Sequence, residues 1–463
     1  MTPSLQFVSN GWQDDRLLGA EFESPETEGV MGANTVRSRM SLKTSTVWNL
    51  IGSLTPMALG LVTIPYLIRQ IGVEAFGILT LIWSLIGYFS VFDFGIGRAL
   101  TQQVSTHRSE RMTTEIPALV KRGLQLMLVT GTLGGIVLVG AAHQLGHRWL
   151  NVSAALRDIT AGCLLIAAVG IPLTTVTSGL KGVLEGYEDF RVSSILRLLL
   201  GVLNFGLPAI TALVLGPSLA YMVSSLVVAR LLILVAHVVA VHGRVSVVVI
   251  ARVASSRLER TTALLRFGAW MTASNIIGPL MVTADRFVIS FVLGASVVAY
   301  YTVPFDLILR LLIIPAALTA ALFPRFAYLF RRDRADVRAL YRRSHSVVLA
   351  GMSAICLVMA VGSRWGLSHW VGQAFAERSW TIGSVLTVGL LFNSVAQVPH
   401  TALQAAGDVK ITSLVHLGEF VAYVPTLFLA LRFFGLPGAA IVWVVRSTVD
   451  YALLSFFARR RMR

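Results

Sequence analysis

The chain has 463 residues, of which 13% are charged and 55% apolar, against about 25% and 45–50% in soluble globular proteins. So little polar surface excludes a water-soluble fold of this size. The remaining charge is lopsided, 39 Lys and Arg against 23 Asp and Glu for a net +16, yet it is too dilute for a nucleic-acid binder and points to a membrane protein with basic loops.

Residues 1–43 form a polar, acidic tail that contains Asp14, Asp15, Glu21, Glu23, Glu26 and Glu28. It has no apolar h-region, which excludes a secretory signal peptide, and its composition reads as disordered. Met31 and Met40 offer starts besides Met1.

From residue 44 onward, apolar runs of about 20 residues recur, the length that crosses roughly 30 Å of hydrocarbon. Twelve spans are expected, near 46–68, 77–97, 123–142, 159–180, 192–214 and 219–241, then 264–293, 297–324, 346–365, 380–404, 410–431 and 437–458. The runs lack the polar alternation of barrel strands, so the class is all-α and polytopic. The connections alternate in charge: 27 Lys and Arg fall on the side of both termini and 7 on the other. The positive-inside rule places both termini in the cytoplasm. Two connections on that side, about 98–122 and 325–345, are long enough for amphipathic helices lying on the membrane surface.

An internal repeat runs through the pattern. Asn49-Leu-Ile-Gly52 in span 1 returns as Asn275-Ile-Ile-Gly278 in span 7, 226 residues on, each followed by proline. Gly179-Leu-Lys-Gly-Val-Leu-Glu-Gly186 leaves span 4, and Thr401-Ala-Leu-Gln-Ala-Ala-Gly407 leaves span 10. The expectation is two parallel six-helix lobes, 44–243 and 244–463, with a substrate path and alternating access between them.

Ionisable groups inside spans cost at least ~2.5–3.5 kcal/mol, so they face a cavity or each other. Arg230, Arg310, Arg446, Asp306, Asp450, Glu419 and His416 lie deep, while Arg197, Asp285 and Arg286 lie nearer span ends. Asp306 with Arg310 and Arg446 with Asp450 are spaced i,i+4, and two readings stay open for them: self-neutralising structural pairs, or cavity groups. Arg230 has no acid on its own helix, which favours a water-filled cavity. The slight cationic surplus suits an anionic substrate such as a diphosphate. Glu419, Asp450 and Asp306 are candidates for coupling transport to protons, since a carboxylate in a low dielectric gains proton affinity.

No P-loop, H-E-x-x-H or G-x-S-x-G motif occurs. Cys163 and Cys356 sit in apolar runs with no metal or redox spacing. The longest outward loop, about 14–16 residues, is too short for a catalytic domain. The chain is therefore read as a non-enzyme without metal or cofactor. Gly131-x-x-x-Gly135 is read as a helix-packing motif.

Asn49, Ile64-Pro65-Tyr66, Gly72-Val-Glu-Ala-Phe-Gly77, Tyr88 and Asp93-Phe-Gly-Ile-Gly-Arg-Ala99 follow one another early in the chain. Gly179–Phe190, Asp285-Arg-Phe-Val-Ile289, Leu293-Gly294, Tyr300-Tyr-Thr302 and Leu322-Phe-Pro324 continue the series. In order and spacing these resemble polysaccharide biosynthesis flippases of the Wzx type, in the multidrug/oligosaccharidyl-lipid/polysaccharide exporter superfamily, over about residues 44–460. The resemblance implies a bacterial inner-membrane flippase. Its substrate would be an undecaprenyl-diphosphate-linked oligosaccharide for O-antigen or exopolysaccharide synthesis, with polymerase and chain-length proteins as candidate partners. Under that implication, Arg230, Arg310, Arg446, Arg286, Arg197, Asn49 and Asn275 are the candidate substrate-binding residues. The competing expectations are a multidrug cation exporter of the same superfamily and a membrane glycosyltransferase or polymerase.

Overall fold

The computed structural model describes residues 42–88, 95–109, 112–245, 283–330 and 332–462. Most of the expected acidic tail, and the expected span near 264–293 up to residue 282, lie outside them. The described residues are helical almost throughout, because apolar runs with no water beside them satisfy their backbone groups within each segment. Helices are numbered in chain order. The first half has α1 (Leu42–Tyr88), α2 (Ile96–Ser109), α3 (Ile116–Gln144), α4 (Arg157–Gly186), α5 (Phe190–Leu215) and α6 (Leu219–His242). The second half has α7 (283–293), α8 (Val298–Leu309), a 3₁₀ turn at Arg310–Leu312, α9 (Ile313–Phe330), α10 (Arg334–Trp370), α11 (Gln373–Ala405) and α12 (Val409–Met462).

Nine helices among the described residues are long and apolar enough to cross a membrane, so the chain is an all-α, multi-pass membrane protein. Two of them are bent double at a glycine. Gly72 (φ 81, ψ 165) divides α1, and Gly435 (φ 62, ψ −150) divides α12. Gly216, Gly294 and Gly372 turn the chain after α5, α7 and α10 with φ of 96, 97 and 123. All five positions need a positive φ that a side chain would strain. One recurring tight turn thus joins successive helices at one end of the molecule, opposite the arginine-rich connections.

Packing in the first half relies on small residues. A Cβ built on Gly131 would stand 2.1 Å from Thr175 Oγ1 and 2.8 Å from Pro172 Cα, so α3 approaches α4 to backbone distance, as the glycine motif implied. Thr175 Oγ1 then donates to the Met127 carbonyl at 3.1 Å and ties the two helices. In the second half α11 lies between α10 and α12, with Trp443 buried against Phe305 in an edge-to-face contact at 5.2 Å.

The basic connection at 325–345 differs from the expected surface helix. Residues 325–330 finish α9, and Arg334 onward begins α10, with Asp333 capping that helix by accepting from the Ala335 N–H at 2.6 Å. At 37 residues α10 is roughly 55 Å long. Its basic first turns therefore extend beyond the hydrocarbon instead of lying along it. The connection after α1 does contain a helix, α2, whose Ile96, Ala99, Leu100 and Val104 are buried against α3 and α4.

Candidate functional site

A cavity of about 350 Å³ opens between the two halves. The first half lines it with Leu61, Phe76, Thr80, Trp83 and Ser84 from α1 and Phe205 from α5. The second half contributes Arg286 from α7, Thr302 and Asp306 from α8, Arg310 from the 3₁₀ turn and Trp370 from the end of α10. Pro56 and Pro65 interrupt the hydrogen-bond ladder of α1, beside the wall that Gly60 and Leu61 give to the cavity.

Arg286 is the central cation. It is 8% exposed, bonds to the Asp306 carboxylate, and donates to Ser84 Oγ at 3.0 Å across the gap between halves. Arg310 also reaches across, with its guanidinium carbon 5.6 Å from the Phe205 ring centre. Phe205 in turn meets Trp83 edge-on at 4.8 Å. The cavity thus presents two guanidinium groups, one carboxylate, the hydroxyls of Thr80, Ser84 and Thr302, and an aromatic wall.

A second polar cluster sits within the second half. Arg446 lies 3.7 Å from Glu419, and His416 lies 3.4 Å from Asp450. His400 and His416 stack at 5.5 Å, and Arg446 covers the Tyr423 ring at 5.4 Å. The buried Asp285, beside Arg286 in sequence, accepts from Tyr301 OH at 2.8 Å and has Arg446 within electrostatic reach. Polar groups therefore run from the cavity to the cluster.

These contacts correct the pairings read along single helices. Asp306 is engaged by Arg286 of α7, while its i+4 neighbour Arg310 faces Phe205. Arg310 stays on the cavity face that carries Thr302 and Asp306, and the 3₁₀ turn runs on from it through Leu312. Arg446 meets Glu419, and Asp450 meets His416, because facing halves of one glycine-bent helix bring them closer than sequence neighbours do.

The expected substrate residues separate. Arg286 and Arg310 line the cavity together with Asp306. Arg446 belongs to the second cluster. Arg230 is 8% exposed in the middle of α6, and its Nε finds no hydrogen-bond partner among the described residues. Arg197 is exposed and donates to Ser194 Oγ at 3.3 Å. Asn275 lies outside the described residues, and of Asn49 only the helix is described. Sequence reasoning missed Thr80, Trp83, Ser84, Phe205 and Trp370. Thr80 and Ser84, one helical turn apart in an apolar run with Phe76 a turn before, were the signal available.

Among the described residues, three further contacts between the halves lie toward the glycine-turn end. The Ala295 N–H donates to the Asn151 carbonyl at 3.3 Å, Ser290 Oγ donates to the Leu150 carbonyl at 2.6 Å, and the Trp370 indole donates to the Leu61 carbonyl over the cavity.

A family model described as polysaccharide biosynthesis protein matches residues 42–330. A Shigella flexneri protein designated an O-antigen transporter is 31% identical over 425 residues, 91% of this chain and 98% of its own. The lipopolysaccharide biosynthesis protein WzxC of Escherichia coli K12 is 27% identical over 199 residues, 42% of this chain and 39% of its own. Among solved structures, an inward-facing multidrug resistance MATE family transporter of the MOP superfamily superposes with a TM-score of 0.75 at 15% identity, covering 90% of this chain and 94% of that one. The last likeness establishes the fold.

Removing one member of an ion pair strands the other; the Asp306 side chain is 39% exposed, so solvent screening brings the loss well below the about 3–5 kcal/mol of a fully buried pair. Asp306→Ala is therefore expected to lower the thermal midpoint in detergent more than Arg310→Ala does. The double change Arg286→Ala/Asp306→Ala should recover part of the loss. Additive losses would show that the pair is not coupled.

Proposed function

The chain belongs to the polysaccharide biosynthesis protein family, and from that premise we propose that it is a flippase. Its substrate is an undecaprenyl-diphosphate-linked oligosaccharide, carried across the bacterial inner membrane for O-antigen or exopolysaccharide synthesis. The observation that carries the reading is the cationic cavity between the halves. Two guanidinium groups against one carboxylate leave a positive site in a low dielectric, which favours a diphosphate held by bidentate N–H donors. The hydroxyls and the Trp83–Phe205 wall suit sugar rings, which hydrogen-bond at their edges and present apolar faces. A cation exporter needs the reverse balance of charge.

At about 350 Å³ the cavity is at the small end of ligand sites. It takes a diphosphate head, and a whole oligosaccharide requires the halves to part. In this mechanism 44–243 and 244–463 rock against each other. The seal through Asn151, Leu150 and Trp370 closes the outer side while the cavity receives substrate from the inner side. The charge of the loops supports this orientation, with both termini cytoplasmic. Substrate phosphate competes with Asp306 for Arg286, and loosening that pair frees the link to Ser84 in the first half. Glu419, Asp450 and His416, joined to the cavity by way of Arg446 and Asp285, supply titratable groups that couple the motion to protons. Polymerase and chain-length proteins are the partners that would receive the flipped product.

Arg310→Ala is expected to abolish surface polysaccharide while the protein still inserts in the membrane, and wild-type polymer levels would contradict the cavity assignment. Reporter fusions should place Arg334 in the cytoplasm and Gly146 outside; the opposite result overturns the orientation. In proteoliposomes, Glu419→Gln should make flipping insensitive to an imposed proton gradient. A wild-type response to the gradient would remove Glu419 from coupling.

A further inference from the structure

Beside the polar cavity lies a second space of about 420 Å³, walled by α8, α10 and α11. Its chemistry is the opposite of its neighbour's. Leu307, Ile308, Val358, Met359 and Leu367 face it, and its hydroxyls are already bonded inside the protein. Ser363 lies 2.6 Å from Ser384 Oγ, and Thr387 donates to the Ser384 carbonyl at 2.7 Å. The groove therefore offers nothing to a polar ligand.

Its width comes from glycine. Gly362 and Gly366, one turn apart on α10, both line the groove, and a Cβ on either would meet nothing within 4 Å. Glycines of spanning helices ordinarily mark close helix contact, as at Gly389, where a Cβ would fall 2.3 Å from Trp443. At Gly362 and Gly366 the missing side chains leave open space.

The groove and the cavity share three walls, Leu61, Leu307 and Trp370. The Trp370–Leu61 hydrogen bond spans the place where they meet. An occupant of both must join an anionic head to a long apolar chain. We propose that this groove seats the isoprenoid tail of the lipid-linked substrate, beside the diphosphate held by Arg286 and Arg310. The proposal rests on the flippase reading. The groove follows residues 358–370, the turns of α10 next to the Gly372 turn. On the orientation above it lies in the outer-leaflet half and holds the tail of the flipped lipid before release.

The test uses the full chain in phosphatidylglycerol nanodiscs, comparing wild type with Gly362→Leu/Gly366→Leu by native mass spectrometry. The probes are undecaprenyl diphosphate and isopentenyl diphosphate, the same head on a single isoprene unit. Filling the groove should weaken retention of undecaprenyl diphosphate by about tenfold and leave isopentenyl diphosphate as in wild type, which also reports an intact head site. Equal retention of undecaprenyl diphosphate by both proteins overturns the proposal and assigns the groove to bulk phosphatidylglycerol. A variant that loses both probes equally overturns the division into head and tail sites. Binding of neither probe by wild type would instead overturn the flippase reading.

Discussion

A charge inside a lipid bilayer must find its counter-charge or its water within the protein, and the architecture of this chain follows from where that requirement is met. Arg286 bonds to Asp306 on the next helix and to Ser84 in the opposite half. Arg310 leans on Phe205 across the same gap. The two halves are thus linked at the membrane interior by arginines on one side and by neutral hydroxyl and aromatic groups on the other. In the proposed mechanism these links exchange for a phosphate. A bonded carboxylate at each arginine would make the link much harder to replace.

The second polar cluster meets the same requirement differently. Glu419, Arg446, His416 and Asp450 are paired entirely inside the second half, so moving the halves apart does not expose them. A change of protonation there alters charge balance without opening the interface directly. Its reach to the cavity runs through Arg446 and the buried Asp285–Tyr301 contact. In the proposed mechanism this separates the groups assigned to cargo from those assigned to proton coupling.

Much of the fold was legible in the sequence because the bilayer imposes long apolar runs and segregates basic loops. The candidate site was partly legible. Arg286, Arg310 and Asp306 stood out because charges are rare in spans, and all three line the cavity. Their partners were not visible, since i,i+4 spacing ignores facing helices. Arg286 of α7 takes Asp306, and Phe205 of α5 meets Arg310, so the partners come from other helices. Trp83, Phe205 and Ser84 escaped notice because aromatic and hydroxyl residues are ordinary in apolar helices; only tertiary placement makes them a wall. The segment 325–345 misled for a related reason, since a basic helix end that projects from the membrane has the composition of a helix lying on it.

The central claim is that the halves must separate at the glycine-turn end for substrate to leave. The Ala295 N–H and the Asn151 carbonyl lie 3.3 Å apart there, so the two backbones are in contact and cysteines at these positions can be tested for cross-linking. The most direct measurement is flipping of an undecaprenyl-diphosphate-linked glycan by reconstituted Asn151→Cys/Ala295→Cys protein, before and after oxidation. Oxidation should stop flipping and reduction should restore it. Flipping at an unchanged rate in fully cross-linked protein would contradict alternating access through this cavity.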